Sequence, residues 1–328
     1  MAAINTNYKN NISTIEAIEE QLKNIADTGF SHLHWSHDWL GDYIYTNIEM
    51  VQIKEMLDRY KFKLKGLHAA DGGLKHIPEN GDLDFGHRYK NRRDYTSLNE
   101  YTRLAGVELI KNRVDLAYMI EAHEIVLHMQ LPYVEFRENK DFKKRYWEQV
   151  LKSLDELETY CKARNVKIAI ENLLCTPQQE QMDQFDKLFA RYDFDFIGFC
   201  FDSGHASLVS LDDHLFFAKR YKKRIIALHL QDNDGIAPEL IENGSAVLKH
   251  DIHAIPFTGI INWDELAKII AESPYELPVT LEVALAGDTY DEEMFNLKDA
   301  LAKAEKLNKM VKNYRKRVSE NMKEGLSL

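Results

Sequence analysis

Short apolar runs alternate with stretches of helical period from one end of the chain to the other, the arrangement expected of repeated βα units around a parallel sheet. Candidate strands are Ala2 to Asn5, His32 to Trp35, Leu64 to Leu67, Ile125 to Leu127, Val166 to Ile170, Ile197 to Phe201, Ile225 to Leu228 and Val279 to Leu281, eight in all. Helical patterns lie between them at Ser13 to Ala26, Asn47 to Tyr60, Leu98 to Ala122, Phe142 to Arg164 and Trp263 to Ala271, and Leu297 to Lys323 closes the chain as a C-terminal helix. Eight such units predict an α/β fold, a (β/α)8 TIM barrel, with a long insertion after strand three. A doubly wound open sheet is the alternative, but no GxGxxG motif follows an early strand to support one.

One barrel of the usual ~250 residues plus insertions fills a chain of 328 residues, so residues 1–328 are read as a single domain. No internal repeat, low-complexity tract or Pro/Gly/Ser linker divides it, and the seven prolines are scattered. Hydrophobic residues at 45% and charged residues at 29% fit a packed globular core.

The balance of 42 basic against 53 acidic residues gives a net charge of −11, which disfavours a sequence-independent grip on nucleic acid. The start, MAAINTNYKNN, lacks the apolar centre of a secretory signal, and no run approaches the ~20 apolar residues of a membrane span. A cytoplasmic location without membrane partners is therefore expected. Cys161, Cys175 and Cys200 are odd in number and form no CxxC pair, so neither a disulfide framework nor a cysteine zinc site is expected.

In a barrel, residues at the carboxyl ends of the strands form the active-site face. His68 follows LKGL, His128 follows EIVL, Glu171 follows KIAI, Asp202 follows GFCF, His229 follows IIAL and Glu282 follows VTL, so six of the eight predicted strands end on a residue that can ligate metal. Singly, any of these is read more simply as a cap or a satisfied polar group; together they point to a site. Carboxylate oxygens and imidazole nitrogens without thiolates suit Mn, Zn, Co or Mg. His205 in FDSGH, and Asp251 and His253 in HDIHAIPFTGIINW, add ligand types in the loops after strands six and seven. The DxH spacing sets its two side chains on one side of an extended segment.

With IEN carrying Glu171, FDSGH carrying Asp202 and His205, LHLQDN carrying His229, and DIHAIPFTGIINW followed by LEV with Glu282, the chain resembles the xylose isomerase-like TIM-barrel superfamily. That superfamily holds sugar isomerases, epimerases, inosose dehydratases and the endonuclease IV type of abasic-site nuclease. The resemblance implies one divalent ion on Glu171, Asp202, His229 and Glu282, as in the epimerase type. In the nuclease type, further ligands of a three-zinc cluster would map onto His68, His128, His205, Asp251 and His253; in the sugar enzymes the same five could hold a second metal or the substrate. The acidic net charge, and the lack of an apolar wedge in AADGGLKHIPENGDLDFG, rank the isomerase or epimerase reading first.

A sugar isomerase or epimerase removes a proton next to a carbonyl and passes through a metal-stabilised enediolate, with Glu171 and Glu282 as the candidate catalytic bases. The expected partner is a small sugar, sugar phosphate or polyol. A barrel that binds metal or sugar without turnover is a further alternative, and homo-oligomeric assembly stays open. HLHWSHDW offers His34, Trp35, His37 and Trp39 as sugar-packing groups or as packing of the loop itself. HRYKNRR, with Arg88, reads either as a phosphate clamp or as a solvated charged loop. Asp232 and Asp234 are read as supporting or loop-capping groups.

Overall fold

The computed structural model describes residues 1–9, 14–38, 43–72, 93–241, 244–285 and 287–323. Local chemistry sets where its helices start and stop. Helix α1 (Ile15–Thr28) begins after Thr14, whose side chain accepts the Ala17 N–H, and ends at Gly29, whose φ of +108° is open to glycine at little cost. Thr46 and Glu49 form a reciprocal capping box on α2 (Asn47–Arg59). Asparagine side chains cap α3 (Glu100–Met119), α5 (Lys140–Ala163) and α10 (Trp263–Ala271), from Asn99, Asn139 and Asn262. The remaining helices are α4 (Tyr133–Glu138), α6 (Gln178–Arg191), α7 (Ser203–Val209), α8 (Phe216–Tyr221), α9 (Gly244–His250) and α11 (Tyr290–Lys323).

The strands are β1 (Ala3–Asn5), β2 (His32–Trp35), β3 (Lys63–Gly72), β4 (Glu124–Met129), β5 (Lys167–Glu171), β6 (Ile197–Asp202), β7 (Ile225–His229) and β8 (Thr280–Leu281). They form one parallel sheet in the order β7-β6-β5-β4-β3-β2-β1-β8. The ring closes through a parallel bridge between Leu230 and Leu281, with the Leu230 N–H donating to Thr280 and the Glu282 N–H to Leu230. This is the expected (β/α)8 barrel. Among the described residues no helix is long and apolar enough to cross a membrane.

Alternation along the strands sorts their side chains. Ile125, Leu127, Ile168, Ile170, Ile197, Phe199 and Phe201 join the main core beneath the helices. Between them, Val126, Ala169, Cys200 and Ala227 form a separate small cluster. Each stands two residues before a site residue: His128, Glu171, Asp202 and His229 respectively. Side chains two apart share a face, so these small groups form the floor on which the polar residues sit.

The sequence boundaries shift at several strands. β3 runs past Leu67 to Gly72, with its register against β4 slipping between His68 and Ala70, so His68 stands mid-strand and not after the strand's end. β4 continues to Met129, which places His128 inside the strand. Glu171, Asp202 and His229 are the last residues of their strands. The insertion after strand three, with Arg88, and Trp39 of the strand-two loop lie outside the described residues.

Candidate metal centre

Glu171 from β5, Asp202 from β6, His229 from β7 and Glu282 just beyond β8 are buried, and one ligand-type atom from each lies within 4.8 Å of the others. His229 Nδ1 is 3.1 Å from Glu282 Oε2 and 3.2 Å from Glu171 Oε2. Even so, His229 Nδ1 and Glu171 Oε1 make no hydrogen bond among the described residues. Buried polar atoms are normally paired. These converge on a common space and do not align with one another, the geometry of ligands arranged around an ion.

Two neighbouring groups border this set. His128 Nε2 lies 3.1 Å and His68 Nε2 3.8 Å from Glu171 Oε2, which places His68, Glu171 and His229 together. On the other side, His205, Asp251 and His253 form a group of their own. His205 Nδ1 donates to the Asn172 carbonyl at 3.0 Å and His253 Nδ1 to the Glu282 carbonyl at 3.2 Å. Both rings therefore turn Nε2 toward Asp251 Oδ2, at 3.5 and 3.2 Å. Imidazoles that ligate metals are held in this way, with the second ring N–H tied to a carbonyl or carboxylate.

Burial opposes charge on every group here, and the neighbours decide which groups keep it. Against that opposition, the His229 and His128 rings hold Glu171 well below the usual carboxylate range. His229 does the same for Glu282. Asp202 goes the other way: burial, reinforced by repulsion from Glu171, Glu282 and Asp251, outweighs the pull of His205 and pushes its carboxyl up to about 7. Burial works against protonation of His205, His229 and His253, but their neighbours win: carboxylates raise His205 and push His253 up to about 10, and Cys200, then Glu282 and Glu171, raise His229. His68 shifts well below its ordinary value, through burial and then the His128 charge.

The donor set is oxygen and neutral nitrogen. Cys200 lies in the floor, its thiol kept protonated by burial, with a pKa up to about 12. The residues present thus fit a divalent ion of the Mn, Zn, Co or Mg type.

Residues around the ligands hold them in place: Asn172 and Gln231, unassigned from the sequence, and Asp232, expected as a supporting or loop-capping group. Asn172 pairs with the Asp202 backbone in both directions, at 2.8 and 2.9 Å. Gln231 Nε2 donates to both Asp202 oxygens, at 3.3 and 3.2 Å. Asp232 clamps the loop that carries Asp251 and His253. Its Oδ2 accepts the Trp263 indole N–H at 2.8 Å and its Oδ1 the Ile261 N–H, while its backbone pairs with Ala254. Gly259 fits because a Cβ there would meet the Asn233 carbonyl at 2.1 Å. Nothing in the residue types alone marks Gln231 as a donor to Asp202; its place two residues after His229 is the only signal.

Of the β2 candidates, Trp35 is buried in the core, its indole donating to Tyr45 and its ring lying against His37. His37 is buried near the same turn, and burial pushes it down to about 4. His34 faces inward and backs onto His229, with the rings 4.8 Å apart.

A family model described as xylose isomerase-like TIM barrel matches residues 22–304. The chain is 30% identical over 308 residues to the uncharacterized protein y4fM of Sinorhizobium fredii, a match spanning 93% of each chain. It is 25% identical over 160 residues to the inosose dehydratase of Clostridium tetani, covering 48% of this chain and 52% of that one. Among solved structures, D-psicose 3-epimerase with D-tagatose from Clostridium cellulolyticum H10 is similar with a TM-score of 0.66, over 94% of this chain and 99% of that chain at 14% identity, a likeness of fold.

Proposed function

The chain belongs to the xylose isomerase-like TIM-barrel family, and from that premise we propose that it is a divalent-metal-dependent isomerase or epimerase of a sugar or sugar phosphate, built as one domain. The observation that carries this reading is the convergence of Glu171, Asp202, His229 and Glu282 around one buried space. A divalent cation held by these four supplies the positive charge that the oxygens of an enediolate need.

The chain's own residues do the rest. Glu171 and Glu282 are held ionised, the form that accepts a proton, and reach the same space from β5 and from beyond β8. One removes the proton from the carbon beside the carbonyl and the other returns it, on the opposite face for epimerisation or at the neighbouring carbon for isomerisation. Loss of a β-hydroxyl as water would start from the same proton removal. His205, Asp251 and His253 offer polar atoms to the remaining substrate hydroxyls or to a second ion.

A second reading has its own observation. The groups around His68, His128 and Glu171, around Glu171, Asp202, His229 and Glu282, and around His205, Asp251 and His253 supply the full ligand complement of an endonuclease IV-like zinc-dependent nuclease. Assay of the metal-loaded chain against ketoses, aldoses, cyclic polyol ketones and abasic duplex DNA separates the two. The sugar reading expects carbonyl-sugar turnover and uncut DNA. Incision that disappears in His229→Ala reverses it.

A further inference from the structure

We propose that His34 is a positioning residue that accepts the Nε2–H of His229 and so fixes that ring with Nδ1 facing Glu171 and Glu282. The inference rests on the metal reading of the site and revises the expectation that His34 touches the sugar. His34 Nε2 lies 3.3 Å from His229 Nε2, and the rings meet edge to face at 84°. Both residues are buried, His34 at 2% exposed and His229 at 0%.

Two imidazole nitrogens at that distance share one hydrogen, so one must donate and the other accept. The other side of the His229 ring decides which. Nδ1 stands 3.1 and 3.2 Å from two carboxylate oxygens, in a space that suits a cation. With a metal ion on Nδ1, the neutral ring carries its one hydrogen on Nε2. His34 must then present a bare Nε2 and carry its own hydrogen on Nδ1. Ligating histidines commonly direct the second N–H to a carboxylate or carbonyl. Here a neutral ring fills that place, which orients His229 without adding another negative charge to a site that already holds Glu171, Asp202, Asp251 and Glu282.

Two variants separate orientation from packing. His34→Phe keeps a ring and removes the acceptor, whereas His34→Gln keeps an acceptor. Co2+ titration followed by its visible absorption should show affinity falling about 10- to 100-fold in His34→Phe and staying close to wild type in His34→Gln. Melting temperatures of the metal-free proteins establish that both variants are folded. The second measurement reads the ring directly: long-range 1H–15N spectra of the full-length Zn2+-loaded chain, with His34→Phe identifying the ring, should place the hydrogen of His34 on Nδ1. Hydrogen on His34 Nε2, or unchanged Co2+ affinity in folded His34→Phe, overturns the proposal. If the wild type takes up neither Co2+ nor Zn2+, the metal reading fails and takes this proposal with it, whereas metal uptake that His34→Phe leaves unchanged overturns this proposal alone.

Discussion

His253 Nδ1 donates to the backbone carbonyl of Glu282 at 3.2 Å, so the residue that lends its carboxylate to one ligand group also fixes a ring of the next. The two groups are joined through a single residue yet use different atoms of it. Removing the His253 ring should therefore leave the four-residue group able to hold its ion. His253→Ala is expected to retain at least one divalent ion by elemental analysis while KM for the sugar rises roughly tenfold, about the loss of one hydrogen bond to a charged group. Loss of all metal in this variant would contradict the separation. Glu171→Ala combined with Asp202→Ala should empty the main group.

Asp232 makes the loop over the site a stability element. Its carboxylate accepts the Trp263 indole N–H and the Ile261 N–H, and it is fully buried. Counting the Asn233 N–H, which also donates to Oδ1, Asp232→Ala strands three buried donors, each costing about 1–3 kcal/mol, and a loss on the order of 3 kcal/mol or more is expected in urea denaturation of the metal-free protein. Asp232→Asn, which keeps one acceptor oxygen, should recover part of it. A change below about 0.5 kcal/mol, the level of a neutral surface substitution, would show that the clamp is not formed.

Metal uptake should release protons. His253 keeps its proton up to about pH 10 and His205 is raised well above its ordinary value, both by carboxylates that outweigh burial, and His229 is raised as well, by Cys200 and then Glu282 and Glu171. A cation bound through these nitrogens must displace those protons, so apparent affinity rises with pH, by about tenfold per unit for each proton displaced. Below these pKa values protons compete with the ion, which gives the sign. Calorimetry near neutral pH in two buffers of different ionisation heat should report at least one proton released per ion bound. Uptake without proton release would place the metal elsewhere.

The barrel was legible because apolar strand cores and amphipathic helices differ in period, and six His, Asp or Glu residues stand where the apolar runs stop. The lengthening of β3 was not: Ala69, Ala70, Asp71 and Gly72 carry none of the β-branched or aromatic character that marks a strand, and pairing with β4 alone extends it. His68 was therefore found by its type but misplaced by position. One signal stood in the sequence unused. Val126, Ala169, Cys200 and Ala227, each two residues before a site residue, mark the inward face by their small size. The carbonyls of Asn172 and Glu282 that orient His205 and His253 could not be read, since a backbone oxygen has no residue type. HLHW leaves His34 open between packing against a sugar and packing within the protein, because the sequence does not reveal whether an inward ring meets substrate or another ring.

Placing Glu171 and Glu282 about one carbon acid makes exchange with solvent the measurement that decides most. During turnover of the sugar in D₂O, NMR should show deuterium entering at the carbon beside the carbonyl. Glu171→Gln and Glu282→Gln should each slow that entry by at least about 100-fold, the usual contribution of a positioned base, while metal content measured in each variant separates a lost base from a lost ligand. Turnover with no label in the product, or full activity in both glutamine variants with metal retained, would contradict proton transfer through these two carboxylates.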